Sequence, residues 1–345
     1  MLCATSSSSS IASALLRWHS SAPPPPIYFT VGADDEGSRL PAVGAAAFNI
    51  LGSNSQAKAA IKSGALLVND DVVESSRRVR EGDILTLQQP GKPAPSASRL
   101  EAISRFVGHL RSQGLRTAFE DDHLAVVYKP PGIHTKSGTN HKFAALEDAL
   151  PAELTPPIGG DDALPLPIVM HRLDVPVSGL CVVAKTRTAA LHLARQFEER
   201  RVTKTYHALL VGTPDTHRRL IDAPIDGLPS QTEYDILDVT PHPQWGSLAS
   251  VRMRPKTGRT HQLRVHAAAE LGCPIVGDDL YWEAAAQIRP NLPPLRKTGG
   301  LFLQSCAVAF EHPDGRSLDV MVAEAAKFGA LRARARSGAE WSGDE

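Results

Sequence analysis

An aspartate, an arginine and a histidine stand close together in a stretch that could carry out chemistry on a bound substrate. Ile168–Thr186 runs from an apolar start through His171, Arg172 and Asp174 to a second apolar segment that is typical of a buried strand. An ionised carboxylate between apolar segments costs free energy if it is buried without a partner, so a cation should lie near Asp174. An ordinary surface ion pair between Arg172 and Asp174 would explain the same residues, and the stretch alone leaves both interpretations open.

Two further segments place a tyrosine and an arginine where they could serve the same site. Thr203–Val211 alternates as a strand does, and Tyr206 stands within it. Arg264 lies on a predicted helix, His261–Leu271, on the side that it shares with His261. A strand tyrosine is more often a core residue, and a helical arginine is more often solvated. Both assignments therefore need support from outside these segments.

Four segments resemble the motifs of the RluA family, the bacterial-type large-subunit pseudouridine synthases. The aspartate motif of the family, HRLDxxxSGLxxxAKT, is similar to His171–Thr186, and its tyrosine motif is similar to Lys204–Gly212. Its arginine motif is similar to Thr257–Asp278, and its opening strand is similar to Val126–Gly132. Because the matches follow the order of the family over residues 120–315, the chain is identified as a member of it.

The resemblance implies an isomerase that converts uridine in RNA to pseudouridine. In this reaction uracil leaves its sugar and rejoins it through carbon, and positive charge develops at the anomeric carbon, as in glycoside cleavage. The family assigns this step to an aspartate, which is Asp174 here. Asp174 would act either as a nucleophile or by removing the neighbouring sugar proton to give a glycal. No electron or group is exchanged with a carrier, so no cofactor and no metal are expected.

The resemblance also implies roles for the residues around the aspartate. The catalytic residues would be Asp174, Arg264 and Tyr206. Arg264 would form a bidentate ion pair that keeps Asp174 charged. The Tyr206 ring would stack on a uracil flipped out of the RNA, an interaction worth about 1–3 kcal/mol, and Arg172 would fill the gap or hold the displaced backbone. The expected substrate-binding residues are Arg172, His171, Lys129, Arg259 and His261.

The composition is that of a globular protein, and it does not indicate a strongly basic nucleic-acid binder, a zinc or disulfide protein, or a membrane protein. The chain has 345 residues and a formal net charge of zero, so RNA contacts would need a local basic patch. Its four cysteines show no CxxC spacing, which predicts neither a zinc site nor a disulfide framework. Cys181 and Cys273 lie in apolar surroundings typical of core residues. No apolar run is long enough to span a bilayer, and no membrane partner is expected.

Two other functions compete with this assignment. A catalytically silent RNA-binding protein or chaperone could keep the same fold, but binding alone would not require Asp174, Tyr206 and Arg264 together. A hydrolase of a glycosidic bond would need a second carboxylate as acid or base. Asp278 is the candidate, although its Gly-Asp turn is more typical of a structural residue. The expected partner is RNA, whether rRNA, tRNA or another structured RNA, bound by a monomer.

The chain divides into predicted regions of different composition. Residues 1–26, rich in serine, alanine and proline, are typical of a transit peptide to a mitochondrion or plastid. A disordered tail on a cytoplasmic or nuclear protein would have the same composition. The sequence pattern predicts a small module at residues 38–88 and a linker at residues 89–119. Residues 120–325 predict the catalytic domain and 326–345 a tail.

The small module resembles the alpha-L RNA-binding motif of a small-subunit ribosomal protein. The resemblance rests on a helix ending near Ile61, followed by SGALLVNDDVV and VREGDIL. Where the motif has Ser-Arg at the helix start, this chain has Ser55-Gln56, so one expected phosphate contact is missing. A packing module that no longer binds RNA is therefore an alternative. The arginines expected to contact RNA are Arg77, Arg78 and Arg80.

The expected fold class is α+β, with the mixed, largely antiparallel sheet and flanking helices of the pseudouridine synthases. Leu124–Tyr128 predicts a strand, and Thr188–Arg200 predicts an amphipathic helix. Thr260 is the predicted N-cap of the helix that carries the arginine. Thr155–Pro167, rich in proline and glycine, predicts a surface loop. Gln304-Ser305 replaces the His-Ala that the family usually shows in its late strand.

Overall fold

The chain forms two compact units. The computed structural model describes residues 14, 18, 26–48, 51, 53–88, 97–137, 145–158, 162–215, 219–294 and 298–338. The smaller unit comprises residues 15–97 and 159–161, and the larger one 1–14, 98–158 and 162–345. The predicted transit peptide, residues 1–26, lies almost entirely outside the described residues. No described helix is both long enough and apolar enough to cross a membrane.

The smaller unit is built from a three-stranded antiparallel sheet and two helices. Its elements are β1 (Ile27–Thr30), α1 (Leu40–Ala47), α2 (Asn54–Lys62), β2 (Leu66–Val68) and β3 (Ile84–Leu87). The strand order is β1-β3-β2, with both pairings antiparallel. Side chains from both helices and from the sheet, among them Leu40, Ile61 and Leu85, form one buried core. The unit therefore has a hydrophobic core of its own.

Two features of the smaller unit bear on its predicted boundaries and helix. Gly64 follows α2 with a φ of 74°, the left-handed conformation that was expected of a residue ending this helix. Strand β1 pairs with β3 along its whole length, Ile27 opposite Leu87 and Thr30 opposite Ile84. The module therefore begins before residue 38, the predicted start.

The larger unit is organised around a ten-stranded sheet. Its strands are β4 (Arg116–Glu120), β5 (Leu124–Lys129), β6 (Ala163–Val169), β7 (Ser178–Thr186), β8 (Thr203–Val211), β9 (Leu220–Asp222), β10 (Gln231–His242), β11 (Gly246–Pro255), β12 (Leu303–Glu311) and β13 (Ser317–Met321). The main path is β4-β5-β7-β12-β8-β11-β10-β9, with β6 joined to β7 and β13 to β12. Between described strands only β7 and β12 pair in parallel. The predicted mixed, largely antiparallel sheet is confirmed.

Helices flank this sheet, as the α+β prediction requires. They are α3 (Ala97–Ser112), α4 (Leu146–Glu153), α5 (Arg187–Glu198), α6 (Gln262–Val265), α7 (Trp282–Ile288) and α8 (Ala326–Ser337), and one turn of π-helix, His266–Glu270, continues α6. The Thr186 hydroxyl accepts the N–H of Ala189 at 3.2 Å and caps α5. Ala189 and Leu193 then face the core formed with β5, β7 and β12. The amphipathic helix predicted for this segment is confirmed.

Close approach of β7 and β12 requires a glycine just after the aspartate loop. Gly179 has a φ of 125° and pairs in parallel with Ser305. A Cβ atom built on Gly179 would lie 2.2 Å from the Ser305 carbonyl oxygen, which no side chain could tolerate. This pairing joins the strand that follows Asp174 to the strand beside Tyr206, because Ser305 is also the partner of Tyr206 on β8.

Three further predicted boundaries are wrong. The linker placed at 89–119 contains α3 and β4, and the chain belongs to the larger unit from residue 98 onward. The tail placed at 326–345 contains α8, which buries Phe328, Leu331 and Ala335. The proline-rich segment placed in a loop up to residue 167 includes most of β6, which tolerates its prolines because it pairs with β7 mainly through its last residues.

Candidate active site

A cleft of about 470 Å³ brings together residues from three separate sequence motifs. Its size lies within the range of about 300–1,000 Å³ that is usual for ligand pockets. Of the eight predicted catalytic and substrate-binding residues, seven line the cleft: Asp174, Tyr206, Arg264, His171, Arg172, Arg259 and His261. The eighth, Lys129, does not. The convergence of charged and aromatic side chains from a loop, a strand and a helix marks this cleft as the candidate active site.

A single threonine fixes the backbone just before Asp174. The buried Thr135 hydroxyl donates to the Leu173 carbonyl at 2.8 Å and accepts the Leu173 N–H at 3.0 Å. The Val177 N–H donates to the Asp174 carbonyl at 3.1 Å and closes a turn on the other side. Both backbone polar groups of Leu173 are thus satisfied by one side chain, and the loop is restrained. Sequence reasoning missed Thr135, because an isolated threonine after a proline turn carries no distinguishing signal.

Asp174 presents its carboxylate to the cleft beside a histidine. The side chain is 19% exposed, and its Oδ2 atom lies 3.8 Å from Nε2 of His261. A carboxylate in a cleft, held by a restrained loop and open on one side, can reach a bound sugar. The arrangement therefore suits Asp174 to act on a substrate rather than to brace the fold.

The predicted ion pair between Arg264 and Asp174 is wrong. Arg264 instead makes a bidentate ion pair with Asp278, with Nε–Oδ2 and Nη2–Oδ1 distances of 2.8 and 2.7 Å, and both side chains are at least 95% buried. Burial tends to lower the pKa of Arg264. The Asp278 carboxylate and, more weakly, that of Asp174 outweigh this effect and raise the pKa above its ordinary value. Asp278 is therefore the structural carboxylate that its turn suggested, and it holds Arg264 at the edge of the site.

Tyr206 lies on β8 with its ring in the cleft wall. It is 9% exposed, and burial raises the pKa of its hydroxyl well above the ordinary value of 10. The negative charge of Asp174 adds to this increase, while the Ser305 side chain opposes it. The phenol is therefore protonated throughout the physiological range, and it can donate a hydrogen bond but cannot serve as a base.

His171 holds the aspartate loop against β7. Its Nε2 accepts the N–H of Val182 at 3.1 Å, and its ring lies 5.2 Å from that of Phe197. Desolvation, together with the positive charges of Lys204 and Lys136, lowers the pKa of His171 to about 3. The ring is neutral at physiological pH, and its Nε2 lone pair is already used. His171 lines the cleft, as predicted for a substrate-binding residue, but its hydrogen bond is to the fold.

Lys129 is buried outside the cleft lining, which does not fit its predicted role as a substrate-binding residue. The side chain is fully buried, and its ammonium donates to the carbonyls of Pro130 and Ile133 at 3.0 Å and of Val175 at 3.3 Å. Burial lowers the pKa of Lys129 to about 8. Val175 directly follows Asp174, so the lysine ties the end of β5 to the aspartate loop from inside the protein.

The segment before α6 is organised by a buried glutamine that sequence reasoning did not single out. The Gln262 carbonyl accepts the Thr257 hydroxyl at 2.7 Å and the Arg259 N–H at 3.1 Å. Its amide group donates to the Gln231 carbonyl at 2.9 Å and to the Thr232 hydroxyl at 3.0 Å. All hydrogen-bonding groups of this side chain are therefore directed at the loop and at β10. The loop that presents Arg259 to the cleft is fixed in place.

The helix that carries Arg264 begins one residue later than predicted. His261, and not Thr260, is the N-cap residue, with φ 54° and ψ 21°. This left-handed conformation is uncommon for residues other than glycine. It turns the chain sharply into α6 and places the His261 ring between Asp174 and Tyr281. Gly272 ends the helical segment with a φ of 59°, as predicted.

Four cations that line the cleft, Arg172, Arg200, Lys204 and Arg259, form no ion pair with a described residue. Burial lowers the pKa of Lys204. Arg254, by contrast, pairs with Asp235 at 2.7 Å. Of the four unpaired cations, Arg172 adjoins the Asp174 loop and Lys204 lies on the strand of Tyr206, and the sequence patterns had singled out only the first of these two.

The predicted RNA-binding arginines of the smaller unit are partly engaged within it. Arg77 pairs with Asp83 at 3.3 Å, and Arg78 donates to the Gly37 carbonyl. The Arg80 side chain is exposed, and its backbone N–H donates to Asp83. Contact of these arginines with RNA stays a prediction.

The mixed sheet places an aspartate loop, a strand tyrosine and a helix arginine around one cleft, the arrangement expected of an enzyme that isomerises uridine in RNA. The sequence model of the family described as RNA pseudouridylate synthase matches residues 123–269, which contain Asp174, Tyr206 and Arg264. The chain belongs to this RNA pseudouridine synthase family.

Relatives support this membership, and a solved structure has the same fold. The chain is 30% identical over 272 residues to "Ribosomal large subunit pseudouridine synthase C" of Vibrio cholerae, covering 73% of this chain and 79% of the relative. It is also 30% identical over 278 residues to an "Uncharacterized RNA pseudouridine synthase" of Aquifex aeolicus, covering 76% and 82%. "Human RNA Pseudouridylate Synthase Domain Containing 4" has the same fold, with a TM-score of 0.52, 23% identity and coverage of 68% and 97%.

These findings confirm the predicted family, fold class and activity. The chain is an isomerase that converts uridine in RNA to pseudouridine, and RNA is its substrate. In the described part of the chain, no group of three or more His, Cys, Asp or Glu side chains is placed to share a metal ion.

Proposed function

We propose that Asp174 acts on the ribose of a single uridine that is flipped out of structured RNA into the cleft. The observation that carries this proposal is the convergence of Asp174, Tyr206 and Arg264 on one cleft of about 470 Å³. A base that is stacked in a helix cannot reach the Asp174 carboxylate, so flipping, at a cost of a few kcal/mol, must precede the chemistry. RNA loops and other sites with unpaired bases would reduce that cost.

Asp174 would carry out the step that breaks the glycosidic bond. Positive charge develops on the sugar as uracil leaves, and an ionised carboxylate at the ribose stabilises it. The carboxylate then either bonds to the anomeric carbon or accepts the neighbouring sugar proton to give a glycal. In both routes uracil stays in the cleft, turns over and rejoins the sugar through carbon; as that bond forms, the ester to Asp174 breaks or the glycal regains its proton from the carboxyl group. The carbon then loses its own proton, and the uracil nitrogen that left the sugar takes one up. Retention of uracil separates this reaction from hydrolysis.

Tyr206 would stack on the flipped uracil and hold it while it turns. The ring belongs to the cleft wall and comes from a strand, so its position is set by the sheet. Because burial keeps the hydroxyl protonated, its contribution is contact area and a hydrogen bond rather than proton abstraction. Stacking of a base on an aromatic ring is worth about 1–3 kcal/mol.

The unpaired cations would hold the RNA backbone beside the flipped nucleotide. Arg172 is exposed and adjoins the Asp174 loop, where it can fill the gap that the uridine leaves. Lys204 is two residues from Tyr206 on the same strand, and side chains two apart share a face. Its ammonium therefore lies on the tyrosine side of the cleft, within reach of a phosphate of the target nucleotide. Arg259 and His261 border the same cleft and complete the proposed substrate contacts.

We infer that the substrate is a ribosomal or transfer RNA inside an organelle. Support for rRNA comes from the Vibrio relative, whose name assigns it to the large ribosomal subunit. Support for an organelle comes from residues 1–26, whose composition is that of a mitochondrial or plastid transit peptide. The smaller unit would add a second contact to RNA through its exposed Arg80.

Mapping of pseudouridine at single-nucleotide resolution tests this proposal. Organellar and cytosolic RNA would be compared between cells with and without the gene. We expect specific sites to disappear in organellar rRNA or tRNA, and to return with the wild-type chain but not with Asp174→Ala. Restoration by Asp174→Ala would contradict the role of the carboxylate. Loss of sites in cytosolic RNA alone would contradict the compartment but not the chemistry.

A further inference from the structure

Tyr281 is connected to Asp174 through His261, although no predicted site residue lies so far along the chain. The Tyr281 hydroxyl oxygen is 2.9 Å from Nδ1 of His261, and Nε2 of the same ring is 3.8 Å from Oδ2 of Asp174. The two aromatic rings meet edge to face, with centroids 5.7 Å apart. The distance to Asp174 is too long for a hydrogen bond, but it is short enough for an N–H dipole to act on the carboxylate.

Tyr281 is itself held by the ion pair that was expected to involve Asp174. The Tyr281 N–H donates to Oδ1 of Asp278 at 3.3 Å. The guanidinium of Arg264, which Asp278 fixes, lies 5.3 Å from the centre of the Tyr281 ring. Burial raises the pKa of the Tyr281 hydroxyl, so this hydroxyl stays protonated and is able to donate a hydrogen bond. The Arg264–Asp278 pair therefore supports Asp174 indirectly, by way of the tyrosine and the histidine.

These contacts select one tautomer of His261. A neutral imidazole carries its proton on one nitrogen only. If the Tyr281 hydroxyl donates to Nδ1, the proton lies on Nε2 and points to the negative Asp174 carboxylate. The opposite tautomer would direct the Nε2 lone pair at that carboxylate, which is repulsive. A group that engages one ring nitrogen commonly sets the state of the other in this way.

The backbone of His261 also favours a positioning role. A left-handed φ of 54° is unusual for histidine, and in this structure it aims the ring at Asp174 while the carbonyl of His261 accepts the Val265 N–H at 2.9 Å. Strained backbone of this kind is concentrated at functional sites. The backbone conformation of His261 and the contact with the Tyr281 hydroxyl thus both fix the orientation of the ring.

We propose that Tyr281 is a positioning residue that keeps His261 with Nε2–H directed at Oδ2 of Asp174. The N–H dipole restrains the rotation of the carboxylate and leaves Oδ1 facing the ribose. The inference rests on the proposed role of Asp174 in the reaction. It adds a residue outside the aspartate, tyrosine and arginine motifs, and it gives the Arg264–Asp278 pair a function in the site.

A double-mutant cycle on His261 and Tyr281 tests this inference. The readouts are the single-turnover rate of isomerisation and the dissociation constant, both measured with the full chain on a transcript that contains a mapped target uridine. Tyr281→Phe should slow the single-turnover rate about tenfold or more and leave RNA affinity within about twofold. In the His261→Gln background, which keeps an N–H near Asp174 but offers Tyr281 no ring nitrogen, Tyr281→Phe should have no further effect.

A matched control is Tyr234→Phe, which also removes one tyrosine hydroxyl that donates to the protein, here to the Asp215 carbonyl at 3.0 Å. It should leave the rate unchanged in both backgrounds. Independent, multiplicative losses from His261→Gln and Tyr281→Phe would overturn the inference, and so would a wild-type rate for Tyr281→Phe. Asp174→Asn is measured in parallel: if it retained the wild-type rate, the proposed role of Asp174 would fail first, whatever the cycle showed.

Discussion

Asp174 is the residue on which the proposed chemistry depends. Replacing it with asparagine tests whether the negative charge of the side chain, rather than its size, is required. Asp174→Asn keeps the size of the side chain but cannot act as a nucleophile or accept a sugar proton. We expect the single-turnover rate of isomerisation to fall by about 10²–10⁴-fold or more, which is the scale of a lost proton-transfer group. RNA affinity measured by filter binding should change little, because the phosphate contacts are made by other residues. Appreciable residual turnover would contradict the assignment.

Tyr206 allows the ring and its hydroxyl to be tested separately. Tyr206→Phe keeps the stacking surface, so affinity for RNA with a flippable uridine should stay close to the wild-type value. Tyr206→Ala should lose about 1–3 kcal/mol of binding. Because burial raises the pKa of this hydroxyl, the rate should show no increase as the pH approaches 10. Equal affinities for the two variants would show that the ring does not stack on the base.

His171 makes the stability of the larger unit depend on pH. Its pKa is about 3 in the folded protein and near 6.5 in the unfolded chain, so between these values only the unfolded chain binds the proton. The stabilisation is complete above pH 6.5 and is lost progressively as the pH falls toward 3. At pH 5 the loss should be about 2 kcal/mol.

The variant His171→Gln, which offers the Val182 N–H another acceptor, should remove this pH dependence. Urea unfolding at pH 7.5 and pH 5 measures the difference between the two proteins. At pH 7.5 the comparison gives the cost of the substitution itself, since the wild-type histidine is neutral in both states there. If acidification lowered the free energy of unfolding equally in the wild type and the variant, this would contradict the lowered pKa of His171 in the folded protein.

Residue types and spacing identified the members of the site but not their pairings. Asp174, Tyr206 and Arg264 stand in motifs that resemble those of a known family, and all three line the cleft. The partner of Arg264 was wrongly predicted, because sequence cannot tell which of two acids a guanidinium will meet. Asp278 is reached only after the chain turns back over α6, and that turn depends on packing. Lys129 was misplaced for the same reason, since its burial follows from the whole sheet.

At the scale of elements, the two hydrogen bonds between Thr135 and Leu173 hold the aspartate loop in place. We therefore expect a substitution of Thr135 to slow the reaction although Thr135 does not line the cleft. Thr135→Val keeps the shape but leaves the N–H and carbonyl of Leu173 unpaired in a buried site, at about 1–3 kcal/mol for each group. We expect a lower melting temperature and a slower single-turnover rate with nearly unchanged RNA affinity. Thr135→Ser, which retains the hydroxyl, is the matched control and should restore both. A wild-type rate for Thr135→Val would show that the loop is held by other contacts.

Elements with a strong periodic pattern were predicted well, and those defined by a few contacts were not. Strand β8 has the predicted bounds, because its alternation around Tyr206 leads into a continuous apolar run of four buried residues. Helix α8 was taken for a tail because arginines surround its few buried positions, Phe328, Leu331 and Ala335. Helix α3 was hidden by the prolines that precede it. In α8 packing within the larger unit, rather than local pattern, decides the structure.

At the scale of the whole molecule, separate cores allow the two units to be assigned separate tasks. The smaller unit buries its own cluster, including Leu66 and Leu85, and the larger unit has another around Leu180 and Val182. Removal of residues 1–96 should therefore leave the sheet and the cleft folded. This expectation is checked by a cooperative thermal transition of the truncated chain.

The truncation should weaken RNA binding more than it changes the chemistry. We expect a larger dissociation constant and an unchanged single-turnover rate at saturating RNA. The slope of log affinity against log salt should also decrease, by about 0.7–0.9 for every phosphate contact that is lost. Asp174→Asn is the reciprocal control, since it should lose the rate and keep the affinity. Unchanged affinity and salt slope after truncation would show that the smaller unit makes no contact with RNA, and that binding depends on Arg172, Lys204 and the rest of the cleft alone.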